Sequence, residues 1–168
     1  TLGALEPLSA MDTTICMGAS IGVALGMEKA NPELSKKLVA VIGDSTFFHS
    51  GITPLIDVVY NQTNTTTIIL DNRTTAMTGH QDNPGTGKTL QGSDTNMVDL
   101  EQLVKAIGIR RVAVVDPLDL EQFEQAVKAE LMADEPSVII AKRPCVLLPT
   151  TEDNKRTYYV SEKCIGCK

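Results

Sequence analysis

Leu38-Val39-Ala40-Val41-Ile42-Gly43-Asp44-Ser45-Thr46 decides the fold, and Thr66-Thr67-Ile68-Ile69-Leu70-Asp71-Asn72 echoes it. Each is a short, β-branched apolar run that stops at small or oxygen-bearing residues. Runs of this kind between turn signals mark buried strands of a parallel sheet. In an open α/β sheet a ligand sits just outside the carboxyl ends of the strands. Gly43-Asp44-Ser45-Thr46 and Asp71-Asn72 therefore fall where a ligand would be. Gly43 lets backbone approach it closely, and the following amides can face phosphate oxygens. Asp44 and Asn72 offer hard oxygens of the kind that hold Mg²⁺ against a diphosphate.

Upstream, residues 13–27 read as a helix capped by Asp12 or Thr13. Gly18, Gly22 and Gly26 recur every four residues on one face, a spacing suited to close packing. Downstream of the first strand, Ile52, Leu55, Ile56 and Val59 predict a helix reaching about Tyr60. After the second strand, residues 72–96 are rich in Thr, Gly, Asn and Asp; a segment so long without regular structure is usually functional. The first half is expected to wrap the ligand, and 82–96 to cover it or face a partner. A helix over 99–107 ended by Gly108, a strand over 111–115, a helix over 119–132 and a strand over 137–141 complete the pattern. Leu120, Phe123, Val127 and Leu131 share one face of the longer helix. Strands alternating with helices predict an α/β, doubly wound, mostly parallel sheet over residues 1–149. Residues 150–168 read as a linker followed by the start of something further.

Composition narrows the function. The 168 residues carry 15 Lys+Arg against 21 Asp+Glu, a net charge of −6, which argues against nucleic acid or an anionic membrane as partner. No Trp and 4% aromatics disfavour base stacking. No apolar run approaches the roughly 18–20 residues of a membrane span, and the N-terminus has no signal-peptide pattern. Cys16, Cys145, Cys164 and Cys167 lack the spacing of a disulfide framework, which fits a reducing, cytoplasmic location. No Gly-x-Gly-x-x-Gly follows either strand, so a Rossmann nucleotide domain is disfavoured. Thr1 opens in what reads as mid-protein sequence, and the chain is expected to be a fragment.

Gly43-Asp44-Ser45, followed by Asn72 twenty-eight positions after Asp44, resembles the diphosphate-binding motif of thiamine diphosphate enzymes, which ordinarily reads Gly-Asp-Gly and then Asn. Ser45 departs from it. The continuation Leu70-Asp71-Asn72-Arg73-Thr74-Thr75-Ala76-Met77-Thr78-Gly79-His80-Gln81 is similar to the 2-oxoacid:ferredoxin oxidoreductases, most closely the α-subunits of the indolepyruvate branch. The resemblance runs over residues 2–168. It implies that Asp44, Asn72 and the Thr74 carbonyl bind Mg²⁺. It implies that Gly43, Ser45 and Thr46 face the diphosphate, that Cys16-Met17-Gly18 lies against the aminopyrimidine, and that Met77, Thr78 and Gly79 contact cofactor or substrate. Met77 stands where the pyruvate branch carries Asn, which suggests a different substrate pocket.

The resemblance also implies a reaction, the oxidative decarboxylation of a 2-oxoacid. Coenzyme A takes the acyl group and electrons pass through iron–sulfur clusters to ferredoxin. Cys164 and Cys167 match the start of a ferredoxin-like domain, whose clusters need further cysteines; alone they are equally a redox pair, half a zinc site or two free thiols. A cofactor held between two domains would need an N-terminal pyrimidine-binding domain and a second subunit, one supplying the activating Glu. The fragment alone is then expected to be inactive and to bind cofactor weakly. Beside these readings stand plainer ones. A lone Asp at a strand end is ordinarily a cap or turn residue, Thr78-Gly79 is nearly as readily a tight turn, and His49 and His80 have no visible acid–base partner. Another thiamine diphosphate enzyme, such as a decarboxylase or an acetolactate-synthase-like protein, shares Gly-Asp and Asn. So does a non-catalytic interface domain of the same fold.

Overall fold

A computed structural model describes residues 2–148 and 159–166. Four strands, β1 (Val39–Gly43), β2 (Thr66–Asp71), β3 (Arg111–Val115) and β4 (Ser137–Lys142), form one sheet in the order β1-β2-β4-β3. Every pairing is parallel, with Val41 opposite Ile68, Ile68 opposite Ile139, and Ala113 also opposite Ile139. All four carboxyl ends therefore lie along one edge. The doubly wound parallel α/β expectation holds.

The helices are α1 (Ser20–Ala30), α2 (Asp44–Thr46), α3 (Ile52–Tyr60), α4 (Leu100–Ile107) and α5 (Leu120–Leu131). Residues of α1, α3 and α4 (Ile21, Ala24, Leu55, Val58, Leu100 and Val104) bury Ala40, Ile42, Ile69, Val138 and Ile140. On the opposite face Phe123, Ala126 and Val127 of α5 pack on Ile68, Val115, Ile139 and Ala141. That layer is narrower, so Val39, Val41 and Leu70 at the β1 side stay partly open. Asp99 and Asp119 cap α4 and α5, accepting from Gln102 N (2.9 Å) and Gln122 N (3.1 Å). Gly108 ends α4 at φ 115°, a left-handed position that glycine adopts without a Cβ penalty. At the amino edge, buried Glu28 of α1 accepts from Asn64 N (2.8 Å) and Thr65 Oγ1 (2.9 Å), which ties α1 to the entry of β2.

Three expectations are corrected. The first helix begins at Ser20, with Ala19 as N-cap rather than Asp12 or Thr13. Gly18 has φ +90°, a conformation no right-handed helix contains, so Cys16-Met17-Gly18 forms a turn. Gly22 and Gly26 are not closely packed either, since a Cβ on each would face open space among the described residues. Leu120 is 74% exposed and lies outside the core, because α5 meets the sheet through Phe123, Ala126 and Val127. The suggested linker and cluster start fall largely outside the described residues, and Cys167 with them.

Between α2 and α3 the helix widens into a π-turn, Phe47–Gly51, of the kind that recurs at functional sites. It buries the Phe47 ring completely. Gly51 makes room for that ring, since a Cβ there would stand 2.5 Å from Phe47 Cδ2. Phe47→Ala is expected to destabilise the domain by roughly 3–5 kcal/mol, whereas Leu120→Ala shifts stability by less than about 0.5 kcal/mol. Urea denaturation of both variants checks the pair.

Candidate functional site

The site grows from the carboxyl ends of β1 and β2. Gly43 of β1 pairs with Leu70 of β2, so the residues that follow, Asp44 on one strand and Asp71-Asn72 on the other, leave the sheet side by side. The chain then turns directly into α2, and Asp44 Oδ1 accepts the Ser45 amide at 2.7 Å. Asp44 is 4% exposed and Thr46 is buried too. A Cβ on Gly43 would meet nothing within 4 Å, so open space adjoins the strand end.

Burial pushes the Asp44 carboxyl above the usual aspartate range, and the neighbouring Asp71 carboxylate pushes it further. The Ser45 and Arg73 amides and the Asn83 carboxamide hold it down in part. Asp71 is buried as well but has a counter-charge, its Oδ2 lying 3.3 Å from Arg73 Nε. Among the described residues no Lys, Arg or His forms an ion pair with Asp44.

Past β2 the chain folds into an Asx-turn, with Asn72 Oδ1 accepting the Thr74 amide at 3.2 Å. Arg73, between them, sits at φ 62°. The segment after β4 braces this turn from the side: Arg143 N donates to Asp71 O (3.0 Å) and Cys145 N to Asn72 O (2.9 Å). The register of β1 on β2 brings Asp44 and Asn72 to one edge, and Thr74, bonded to Asn72, is buried.

Cys16-Met17-Gly18 comes to the same edge by close backbone approach. A Cβ on Gly18 would stand 2.6 Å from Ser50 Cβ and 3.7 Å from Thr46 Cγ2. Cys16 and Met17 themselves are exposed. His49 Nδ1 lies 2.5 Å from Ser50 Oγ, which occupies it locally. Met77-Thr78-Gly79 is less tightly gathered. A single 3₁₀ turn, Ala76–Thr78, carries it with Gly79 as C-cap, closed where Thr78 Oγ1 donates to Gln81 Oε1 (2.6 Å) and Gln81 Nε2 donates to Thr78 O (2.7 Å). Met77 is 87% exposed, and His80 is exposed at φ 65°. Cys164 is exposed in the last described segment, away from any element.

Two side chains at the site escape a reading of the sequence. Asn83 is buried close to Asp44, and Arg73 reaches from the turn to the following loop, its Nη1 donating to Gly85 O at 3.1 Å. Nothing local marks either: Asn83 stands before Pro84 like any loop Asn, and Arg73 reads as a surface cation.

A family profile described as "Thiamine pyrophosphate enzyme, C-terminal TPP binding domain" matches residues 2–141. The chain belongs to that family. It is 42% identical to indolepyruvate oxidoreductase subunit IorA of Archaeoglobus fulgidus over 171 aligned residues, covering 99% of this chain and 27% of the relative. The protein of the same name from Pyrococcus horikoshii is 42% identical over 185 aligned residues, covering 100% and 28%. The resemblance to the indolepyruvate branch is thus borne out, although the chain spans only about a quarter of the length of these relatives. Among solved structures, 2-oxoglutarate:ferredoxin oxidoreductase from Magnetococcus marinus superposes at TM-score 0.69 with 19% identity, over 80% of this chain and 47% of that one. At that identity the likeness shows the fold. A thiamine diphosphate-dependent 4-hydroxybenzoylformate decarboxylase of Rhodococcus jostii superposes at 0.57 with 26% identity, over 76% and 23%.

The family implies thiamine diphosphate, and the residues present fit a divalent cation beside it. Among the described residues no three His, Cys, Asp or Glu side chains converge, so a soft or multi-carboxylate metal centre is not built from them. The buried Asp44 carboxylate, with no ion-paired cation among the described residues, and the Asn72 carboxamide are hard oxygen donors of the kind that would suit Mg²⁺ shared with phosphates.

The raised Asp44 carboxyl fixes a sign. Its folded-state pKa lies above the unfolded value, so its contribution to stability is fully present at low pH and is lost as pH rises through the folded pKa. Asp44→Asn is expected to raise the urea midpoint of the metal-free protein at neutral pH and to flatten that dependence. Added Mg²⁺ and thiamine diphosphate should reverse the order, since binding stabilises only the protein that binds. Gly18→Ala, at a left-handed φ and against Ser50, should destabilise by at least about 1 kcal/mol.

Proposed function

We propose that this chain is the Mg²⁺ and diphosphate-holding domain of a 2-oxoacid:ferredoxin oxidoreductase that acts on arylpyruvates such as indolepyruvate. The observation that carries the reading is Asp44, a carboxylate buried at a strand end with open space beside it and no cation paired to it among the described residues. The name of these relatives, indolepyruvate oxidoreductase, supports the substrate class.

In this reading Asp44, Asn72 Oδ1 and the Thr74 carbonyl hold Mg²⁺. Gly43 leaves room for the diphosphate, and Ser45 and Thr46 border it at the start of α2. The Cys16-Met17-Gly18 turn borders the aminopyrimidine, and Met77, Thr78 and Gly79 face the substrate side. When bound, thiamine diphosphate supplies the nucleophilic carbon and electron sink that 2-oxoacid decarboxylation needs, and the protein supplies binding and orientation. Residues 1–149 form the cofactor domain, and 150–168 a linker into a ferredoxin-like domain whose iron–sulfur clusters include Cys164 and Cys167 as ligands. A pyrimidine-binding domain, a second subunit, coenzyme A and ferredoxin complete a cytoplasmic enzyme.

The test uses the full-length protein with its partner subunit, anaerobically, with Mg²⁺, thiamine diphosphate, coenzyme A and a viologen acceptor. Indolepyruvate should exceed pyruvate in kcat/KM by at least roughly tenfold, a ratio within reach of one remodelled pocket. Asp44→Ala should abolish both turnover and Mg²⁺-dependent cofactor binding. Preference for pyruvate would overturn the arylpyruvate assignment alone. Release of CO₂ without acceptor reduction would favour a decarboxylase, the class of the 26%-identical neighbour.

A further inference from the structure

The residues assigned so far leave 83–98 without a role, yet this segment is pinned to the site from two sides. Asn83-Pro84-Gly85-Thr86 closes as a turn, with Thr86 N and Oγ1 both donating to Asn83 O at 2.9 Å. Gly85 is pressed against the π-turn that follows Asp44, since a Cβ there would stand 2.9 Å from Phe48 Cε2. From the other side Arg73 Nη1 holds Gly85 O (3.1 Å) and touches Met97 Sδ (3.0 Å), while Nε pairs with buried Asp71. Val98 N donating to Pro84 O at 2.8 Å closes the far end.

What this clamping delivers is the Asn83 side chain. It is 7% exposed, and its Oδ1 accepts the Gly85 amide at 2.9 Å. That bond fixes which end of the carboxamide faces which way, because a flipped group would set two donors against each other. Nδ2 is consequently buried, and it has no hydrogen-bond partner among the described residues. A buried orphan donor costs about 1–3 kcal/mol, and such groups in native proteins call for an explanation. The same clamp holds the carboxamide at the Asp44 end of the sheet, since Gly85 rests on Phe48, one helical turn after Asp44, and is bonded to Arg73, which pairs with Asp71 on the neighbouring strand.

We propose that Asn83 is a positioning residue for Asp44, its Nδ2 orienting the carboxylate for a divalent cation, and that Arg73 is the latch that keeps Asn83 in place. The inference rests on Asp44 as a Mg²⁺ ligand. Three contacts carry it: Arg73 to Gly85, Gly85 to Asn83, and Phe48 beneath Gly85.

The competing role for Asn83 is that of a turn residue, and Asn83→Ser separates the two. Serine keeps an acceptor for the Gly85 amide and removes Nδ2. In the full-length protein with saturating thiamine diphosphate, calorimetric titration of Mg²⁺ should show about tenfold weaker binding for Asn83→Ser, the lower end of what outer-shell partners of metal ligands contribute. Its metal-free urea midpoint should stay equal or rise, because an unpaired donor has gone. Arg73→Lys keeps a charge for Asp71 but loses the planar fork that reaches Gly85 O and Met97 together. It should weaken Mg²⁺ by a similar factor even if Asn83→Ser folds poorly. The double variant should be no weaker than the worse single one, the non-additivity of residues acting in one chain. Wild-type Mg²⁺ affinity in both single variants, with Asp44→Ala unable to bind, would overturn the positioning role and leave the metal site standing. Wild-type affinity in Asp44→Ala would overturn the metal site and the inference with it.

Discussion

A carboxylate taken out of water at the edge of a parallel sheet, with a second carboxylate beside it, is the constraint around which this domain is arranged. The register of β1 on β2 makes it unavoidable, because it sets the residue after Gly43 next to Asp71. Two buried acids in adjacent positions are unfavourable unless each is compensated. The fold compensates one internally, with Arg73 on Asp71. It leaves the other with the Ser45 amide at 2.7 Å, which is less than a full charge. Stability is thereby given up at Asp44, and the deficit has the sign and hardness that a divalent cation would satisfy. Local rules broken in this way are expected at functional sites, where activity and stability pull apart.

The same logic explains why the chain tolerates unusual backbone nearby. Arg73 at φ 62° and His80 at φ 65° are L-residues in a left-handed region, a conformation that persists where surroundings over-determine it. At Arg73 the surroundings are explicit: an Asx-turn through Asn72, an ion pair to Asp71, and two contacts from Nη1 across the loop. One residue therefore turns the chain at the strand end, neutralises a buried acid and anchors a distant segment. The π-turn does related work on the opposite side. By widening the helix after Thr46 it buries Phe47 and presents Phe48 as the surface on which Gly85 rests.

Much of the sheet is legible in the sequence because burial, on both faces in β2 and β4 and on one in β1, leaves a strong compositional trace. The β-branched runs around Ile42 and Ile69 end within a residue of β1 and β2, and their Gly-Asp and Asp-Asn boundaries mark the edge where Asp44 and Asn72 emerge. The two later helices are read to within a residue of their starts, 99 and 119 against Leu100 and Leu120, where Asp99 and Asp119 serve as N-caps. The start of the first helix is not, because Cys16-Met17-Gly18 fits a helical pattern until the backbone sign at Gly18 is known. That sign goes with a close approach to Ser50, a residue distant in sequence. Leu120 misleads for a similar reason: periodicity gives a face but not the extent of the surface that the face will meet.

The loop is the hardest part to read. Residues 72–96 advertise themselves by length and composition as functional, but nothing local ranks Asn83 above Asn72 or above the other polar side chains of the segment. Both asparagines make Asx-turns, Asn72 to the Thr74 amide and Asn83 to the Gly85 amide, so turn chemistry does not tell them apart. They differ in what the other end of the carboxamide meets. For Asn83 that depends on Arg73 reaching Gly85 across twelve residues and on Phe48 lying beneath it, and both are tertiary facts. A sequence reports which groups can bond, whereas a buried donor left without a partner is visible only once the chain has closed around it.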